Sequence, residues 1–391
     1  MCRHAGSCRM PVYCCLRYAV YRGFRKGIGF MISGSPTGRL IEPLTHREWP
    51  AAELEEQVES RVAFYQSRGL CRGDRVILHF GNSLEFFAEL LAIWRHGGCA
   101  IPVDARLTPF EVGNLVAVAR PRFRVVDDST PAEVVSVPGT DVVHTLEHAD
   151  QSGSGHGQGL RLDDPALILF TSGSTGEPKG VVHTHRSLRA RWMSLRQELG
   201  LSAYRRSLCL LPTHFGHGLI CNCLFPWLSG CDLFIVPPFR TDLLAKLGSL
   251  IDDHRISFLS SVPSAWTVAL KLSGSPAGSS LQRVHVGSAP LSAALWRDIQ
   301  NWCGIDDVFN AYGITETGSW VAGTSDADPV VPEDGLIGRP WGASVRVLQA
   351  RDTQSNPFAG PDCEAGEPGM IWLDTPALMH GYYQREDLTD A

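Results

Sequence analysis

From residue 49 onward the apolar positions fall into two regimes. Short unbroken runs occupy residues 75–80 (RVILHF), 100–103, 123–126, 166–170, 208–211, 233–236, 258–262 and 284–286. A strand wetted on one face would alternate apolar with polar residues. An unbroken run predicts a strand covered on both faces, and therefore mainly parallel sheets with helices on either side. Helical spacing fills several intervals, at residues 49–65, 84–95 and 109–119. In the second of these Leu84, Phe87, Leu91 and Trp94 fall near one face, and Gly97 and Gly98 stop it. From about residue 335 the pattern turns to strand and turn, with runs at 342–348 and 369–373 around a Pro/Gly/Asp-rich stretch. The reading is an α/β protein: a core over residues 31–330, a small β-rich subdomain over 331–391, and a short Gly/Ser linker at 151–159.

Residues 1–30 stand apart. Arg3, Arg9, Arg17, Arg22, Arg25 and Lys26 are basic, and the first acid is Glu42. A transit peptide would also be rich in serine, whereas only Ser7 is present. The expectation is an upstream extension, non-native or disordered, with the natural start at Met31.

Charge and composition then remove several classes. With 35 basic and 41 acidic residues the chain carries −6 formally, which argues against a protein that neutralises nucleic-acid backbones. Charged residues make up only 19% and apolar ones 44%, enough to build a core and exclude global disorder. Twelve cysteines form no zinc spacing, since the group at 2, 8, 14 and 15 and the pair at 221 and 223 lack partners at metal-site distance. Reduced thiols in a cytoplasmic enzyme are expected. Residues 207–231 contain no Lys, Arg, Asp or Glu and are long enough to span a bilayer. They also contain Pro212, Thr213, His214, His217, Asn222 and Pro226, which are costly in lipid, so a buried strand, a loop and an amphipathic helix are expected and no membrane span.

The strongest chemical signal follows the run at 166–170: TSGSTGEPKG at residues 171–180. Gly173, Gly176 and Gly180 let backbone approach a ligand closely. Successive amides, the hydroxyls of Ser172, Ser174 and Thr175, and the ammonium of Lys179 suit a phosphate. No Gly-Lys-Ser/Thr closes the segment, so it is not a Walker loop.

This segment resembles the phosphate loop of the adenylate-forming (ANL) superfamily, the AMP-dependent synthetases and ligases that include acyl-CoA synthetases, peptide-synthetase adenylation domains and firefly-type luciferases. Two further segments match in order: GSAPL at 287–291 resembles the adenine-side loop, and NAYGITETG at 310–318 the most diagnostic motif. Weaker matches at 97–104, 335–340, 366–369 and 381–383 extend the likeness over about residues 45–391. The resemblance implies a large N-terminal domain of two mainly parallel sheets flanked by helices, with a partial β-barrel subdomain. It implies ATP-dependent activation of a small carboxylic acid to an acyl-adenylate, followed by thioester formation with CoA.

Residue by residue, the resemblance implies that Glu316 coordinates Mg²⁺, Thr315 bonds the α-phosphate and Tyr312 stacks on adenine. Thr171, Ser172, Gly173, Ser174, Thr175, Gly176 and Lys179 would hold the β- and γ-phosphates. Gly287, Ser288, Ala289 and Pro290, with Asn310, Ala311 and Gly313, would line the nucleotide. His214, in the segment PTHFGHG at 212–218, is the candidate beside the acid; a packing role for it stays open, because relatives place histidine after a phenylalanine and here the order is reversed. Trp266 either lines the pocket or belongs to the core. The segment lacks the aspartate that amino-acid-activating relatives use for an α-ammonium, so a fatty, aryl or other simple acid is expected. Relatives continue past the matched region into a mobile lid domain; it is expected to be absent, leaving a shortened, poorly active part that needs it for CoA. An adenylation domain loading a carrier protein and a non-catalytic nucleotide- or acyl-binding remnant are the alternatives.

Overall fold

The computed structural model describes residues 37–145, 159–172, 178–238, 240–325, 331–349 and 361–389. The basic segment 1–30 and nearly all of the 151–159 linker lie outside the described residues.

Two large sheets carry the architecture. The first has, in spatial order, β18 (Gly381–Tyr382), β8 (Pro178–Thr184), β7 (Pro165–Ser172), β4 (Cys99–Pro102), β3 (Arg75–Leu78), β5 (Phe123–Val126) and β6 (Asp141–His144). The second runs β15 (Arg339–Pro340), β14 (Ser319–Gly323), β13 (Val308–Ile314), β12 (Arg283–Gly287), β11 (Phe258–Ser261), β9 (Arg206–Cys209), β10 (Asp232–Ile235), β1 (Leu40–Glu42) and β2 (Arg47–Trp49). Pairing is parallel from β7 through β6 and from β13 through β1. It is antiparallel where β8 and β18 extend the first sheet and where β14, β15 and β2 extend the second. A separate antiparallel pair joins β16 (Ser344–Leu348) to β17 (Met370–Asp374).

The unbroken apolar runs are strands buried on both faces, as their pattern requires: β5 and β12 are buried at every position. Helices cover them. The helix Leu84–Arg95 starts where the Ser83 hydroxyl accepts from the Phe86 amide at 3.3 Å. The helix Pro109–Ala119 opens with a reciprocal Thr108–Glu111 cap and Pro109 in its first turn. The first is buried nearly all round from Leu84 to Trp94, beyond the single face its spacing marks, and the second buries Val112, Leu115, Val116 and Ala119.

Two elements depart from the expectation. Residues 178–184 form a strand antiparallel to β7, so the phosphate-loop candidate at 171–180 ends inside a strand; Pro178 stands at that strand's first position, where proline is tolerated. Residues 217–224 form a π-helix buried at every residue, in place of the amphipathic helix expected there. Among the described residues no helix is long and apolar enough to cross a membrane. The eight described cysteines are free thiols.

Candidate active site

The hairpin β7–β8 brings the first motif into place. Thr171 and Lys179 stand opposite each other in its register, and the Thr171 hydroxyl donates to the Lys179 carbonyl at 3.4 Å. Gly173, Ser174, Thr175 and Gly176 lie outside the described residues, as does the side chain of Ser172. Lys179 is half-buried, with Nζ 5.9 Å from the ring centre of Tyr382.

Tyr382 belongs to β18, which adds to the outer edge of β8, and its hydroxyl donates to Glu316 Oε1 at 2.7 Å. Desolvation, and then this carboxylate, push the phenol up to about 12. Three segments far apart in sequence therefore meet: the lysine of the hairpin, the glutamate of the diagnostic motif, and a tyrosine 66 positions beyond it.

The turn Thr315–Thr317 is held from behind. His183 Nε2 lies 2.8 Å from the Thr315 carbonyl, and burial pulls this imidazole down to about 4, so it is neutral and donates there. The Met379 amide donates to the Glu316 carbonyl at 2.7 Å. Arg191, buried in the helix His185–Leu199, donates to the Thr317 carbonyl at 3.1 Å, the Trp341 carbonyl at 2.8 Å and the Thr375 hydroxyl at 3.2 Å. Burial lowers its guanidinium to about 10. Glu316 itself stays half-buried and keeps Oε2 outside the hydrogen bond that Tyr382 makes.

The second and third motifs end β12 and β13, parallel neighbours whose carboxyl ends face one side of the sheet. Glycine is needed at both by close approach. A Cβ on Gly287 would stand 2.3 Å from the Ala311 carbonyl oxygen, and one on Gly313 would stand 1.9 Å from that of Ser319. The β13–β14 register slips between Tyr312 and Gly313, an irregularity that re-aims side chains beside the turn. Ser288, Ala289 and Pro290 are exposed, Ala311 is buried, and Tyr312 is half-buried. Asn310 is buried, and its amide donates to the Leu336 carbonyl at 2.6 Å, so its side chain ties the strand to the loop before β15.

Two histidines of segment 212–218 have different surroundings. His214 is half-buried, with Nε2 3.7 Å from Asp104 Oδ2; burial lowers its pKa. Asp104 is also bonded by the Arg106 side chain at 2.6 and 3.0 Å, which holds the carboxyl down to about 2. His217 is the residue tied to the motifs: Nδ1 lies 2.8 Å from Ser288 Oγ and Nε2 2.6 Å from Ser260 Oγ. Burial pulls it down to about 3. Trp266 is a core residue, packed edge-to-face on Trp302 at 5.6 Å beneath the second sheet.

Sequence reasoning missed His183, Arg191, His217 and the role of Tyr382. Only Tyr382 had a signal, in the weak match at 381–383. The others act through contacts 43 to 184 positions away that no local pattern encodes.

The chain is similar to known proteins over most of its length. The chain is 26% identical over 350 residues to a dimodular nonribosomal peptide synthase of Bacillus subtilis (strain 168), covering 86% of this chain and 14% of the synthase. It is 24% identical over 393 residues to the probable CoA ligase CCL5 of Humulus lupulus, covering 93% of this chain and 69% of the ligase. The structure of ATP-bound MatB from Rhodopseudomonas palustris superposes with a TM-score of 0.76 at 26% identity, over 94% of this chain and 72% of MatB. Residues 41–383 match the AMP-binding enzyme family, and the chain belongs to that family.

Proposed function

We propose that the chain binds ATP and a simple carboxylic acid and joins them as an acyl-adenylate, the acyl group passing onward to CoA. The observation that supports this best is the meeting of Lys179, Tyr382 and Glu316 beside the Thr315 turn. In the reaction one carboxylate oxygen bonds to the α-phosphorus as the α–β bridging bond breaks and pyrophosphate leaves with its electron pair. Such chemistry depends on positioning and on neutralising charge. Lys179, with Thr171 and the loop beyond it, holds the leaving phosphates. Thr315 bonds the α-phosphate, Tyr312 covers the adenine, and Ser288–Pro290 line the nucleotide.

A half-buried carboxylate with one oxygen held by Tyr382 and a neighbouring hydroxyl is a hard-oxygen site that fits Mg²⁺, which keeps water and phosphate oxygens as further ligands. Glu316 would hold the ion, with Thr315 beside it, and Mg²⁺ would neutralise phosphate charge. His214 stands at the acid side as the candidate neighbour of the substrate carboxylate.

Segment 212–218 carries no acid, and Asp104 near His214 is bonded twice by Arg106, so an α-ammonium would go unpaired. A carrier-protein thiol is the second acceptor to consider, on the similarity to the peptide synthase. The test is acid-dependent pyrophosphate release from ATP across a panel of aliphatic, aryl and amino acids. Release with simple acids supports the reading; preferential turnover of an amino acid overturns the substrate class.

A further inference from the structure

Ser288 is bent into a conformation that serine rarely takes. Its φ is +66°, in the left-handed region that glycine enters freely and a residue with a Cβ does not. It follows the last residue of β12, Gly287, where a Cβ has no room, and the chain is buried again at Leu291. Between them Ser288, Ala289 and Pro290 are exposed, so core packing does not hold the backbone there. A hydrogen bond reaches it from the interior: the Ser288 hydroxyl lies 2.8 Å from Nδ1 of buried His217.

The direction of that bond follows from its neighbours. His217 opens the buried π-helix 217–224, and burial keeps its imidazole neutral, with one donor nitrogen and one acceptor. Nε2 lies 2.6 Å from the hydroxyl of Ser260 in β11. That hydroxyl has a single hydrogen and donates it at 3.2 Å to the carbonyl of His285, its partner in the β11–β12 register. Ser260 therefore accepts from Nε2–H, Nδ1 carries the lone pair, and Ser288 donates to it. The relay runs from the exposed loop through His217 and Ser260 to the backbone of β12, the strand that the loop leaves.

We infer that His217 is a positioning residue for nucleotide binding: acting through Ser288, it holds residues 288–290 in the left-handed bend in which they line the nucleotide. The inference rests on the adenylation reading and adds a residue that acts without touching the substrate. Without the acceptor at Nδ1, the steric preference of Ser288 pulls the loop toward other conformations. A loop that is competent for only a fraction of the time binds its ligand more weakly by that fraction.

The experiment is calorimetric titration of the whole chain with AMP, in a cycle of His217→Phe, Ser288→Gly and the double variant. Phenylalanine keeps a ring beside Trp320, whose centre is 5.3 Å from that of His217, and lacks the acceptor. Glycine takes positive φ unaided. His217→Phe alone should weaken AMP binding about three- to tenfold, the worth of one hydrogen bond. In the Ser288→Gly background the same change should alter affinity by less than about twofold. His217→Asn, whose Oδ1 accepts in place of Nδ1, should recover most of the loss. An equal loss in both backgrounds, or no loss in either, overturns the inference and leaves the adenylation reading standing, because a ring that only fills the core acts regardless of residue 288. Should His217→Phe fail to fold, nitrogen-15 spectra of histidine-labelled wild type decide: the Nε2–H tautomer at His217 supports the relay, and the Nδ1–H tautomer overturns it. Wild type that binds neither AMP nor ATP overturns the adenylation reading and the inference with it.

Discussion

Removing the Tyr382 hydroxyl, by Tyr382→Phe, separates a held Glu316 from a free one. The bond is 2.7 Å long and its acceptor is a carboxylate, a class whose net contribution is about 1.5–3 kcal/mol when well shielded. Both residues are half-buried, so screening by water brings the value toward about 1–1.5 kcal/mol. If the bond holds Glu316 in the orientation that receives Mg²⁺, the variant should bind Mg²⁺·ATP about 5–12-fold more weakly. Phenylalanine keeps the ring beneath Lys179, so metal-free ATP should bind nearly as before, and the melting temperature should move by no more than about 2 °C. The phenol is pushed up to about 12 and remains a donor across the working range, so the difference between the two proteins should be constant from pH 6 to 9. Calorimetric titrations of ATP with and without Mg²⁺ measure all of this. Unchanged Mg²⁺·ATP affinity, or an equal loss for metal-free ATP, refutes the reasoning.

Arg191→Met leaves the Thr317 and Trp341 carbonyls without the guanidinium donor, at about 1–3 kcal/mol each, partly offset by no longer burying a charge, while the Thr375 hydroxyl keeps the Ala377 amide as a donor. A net loss of about 2–4 kcal/mol should lower the urea midpoint, and Arg191→Lys should recover less than half of it. His183, His185 and His217 are pulled down to about 4, 3 and 3 by burial, and burial also holds His285 well below its ordinary value. The unfolded chain therefore binds more protons than the folded one below about pH 6.5, and stability falls as pH drops from there toward 4, with each histidine adding a slope approaching 1.4 kcal/mol per pH unit. Melting temperatures from pH 7.5 to 5.0 check this, and a flat profile contradicts it.

The sheets were legible because their runs are apolar on both faces, and the motifs because close backbone approach needs glycine at fixed places, as at Gly287 and Gly313. What the sequence concealed depends on distant partners. The strand β8 hides behind Pro178, whose missing amide costs nothing at a strand's first position. His214 and His217 are equivalent to the eye; only the fold shows that His217 joins Ser288 and Ser260, while His214 faces Asp104. Arg191 reads as one more basic residue on a polar helix, and its burial follows from Thr317, Trp341 and Thr375 closing over it. Residues 331–391 read as a β-rich subdomain; among their described residues β15 pairs with one large sheet, β18 with the other, and β16 with β17.

In the proposed function Glu316 sits where a metal-bound triphosphate would dock. Calorimetric titration of ATP into wild type, Glu316→Ala and Lys179→Ala, with and without Mg²⁺, tests it most directly. Mg²⁺ should tighten ATP binding to wild type, this enhancement should disappear in Glu316→Ala, and Lys179→Ala should weaken binding by less while keeping it. A Glu316→Ala protein that keeps the wild-type response to Mg²⁺ would rule out Glu316 as the metal-holding carboxylate.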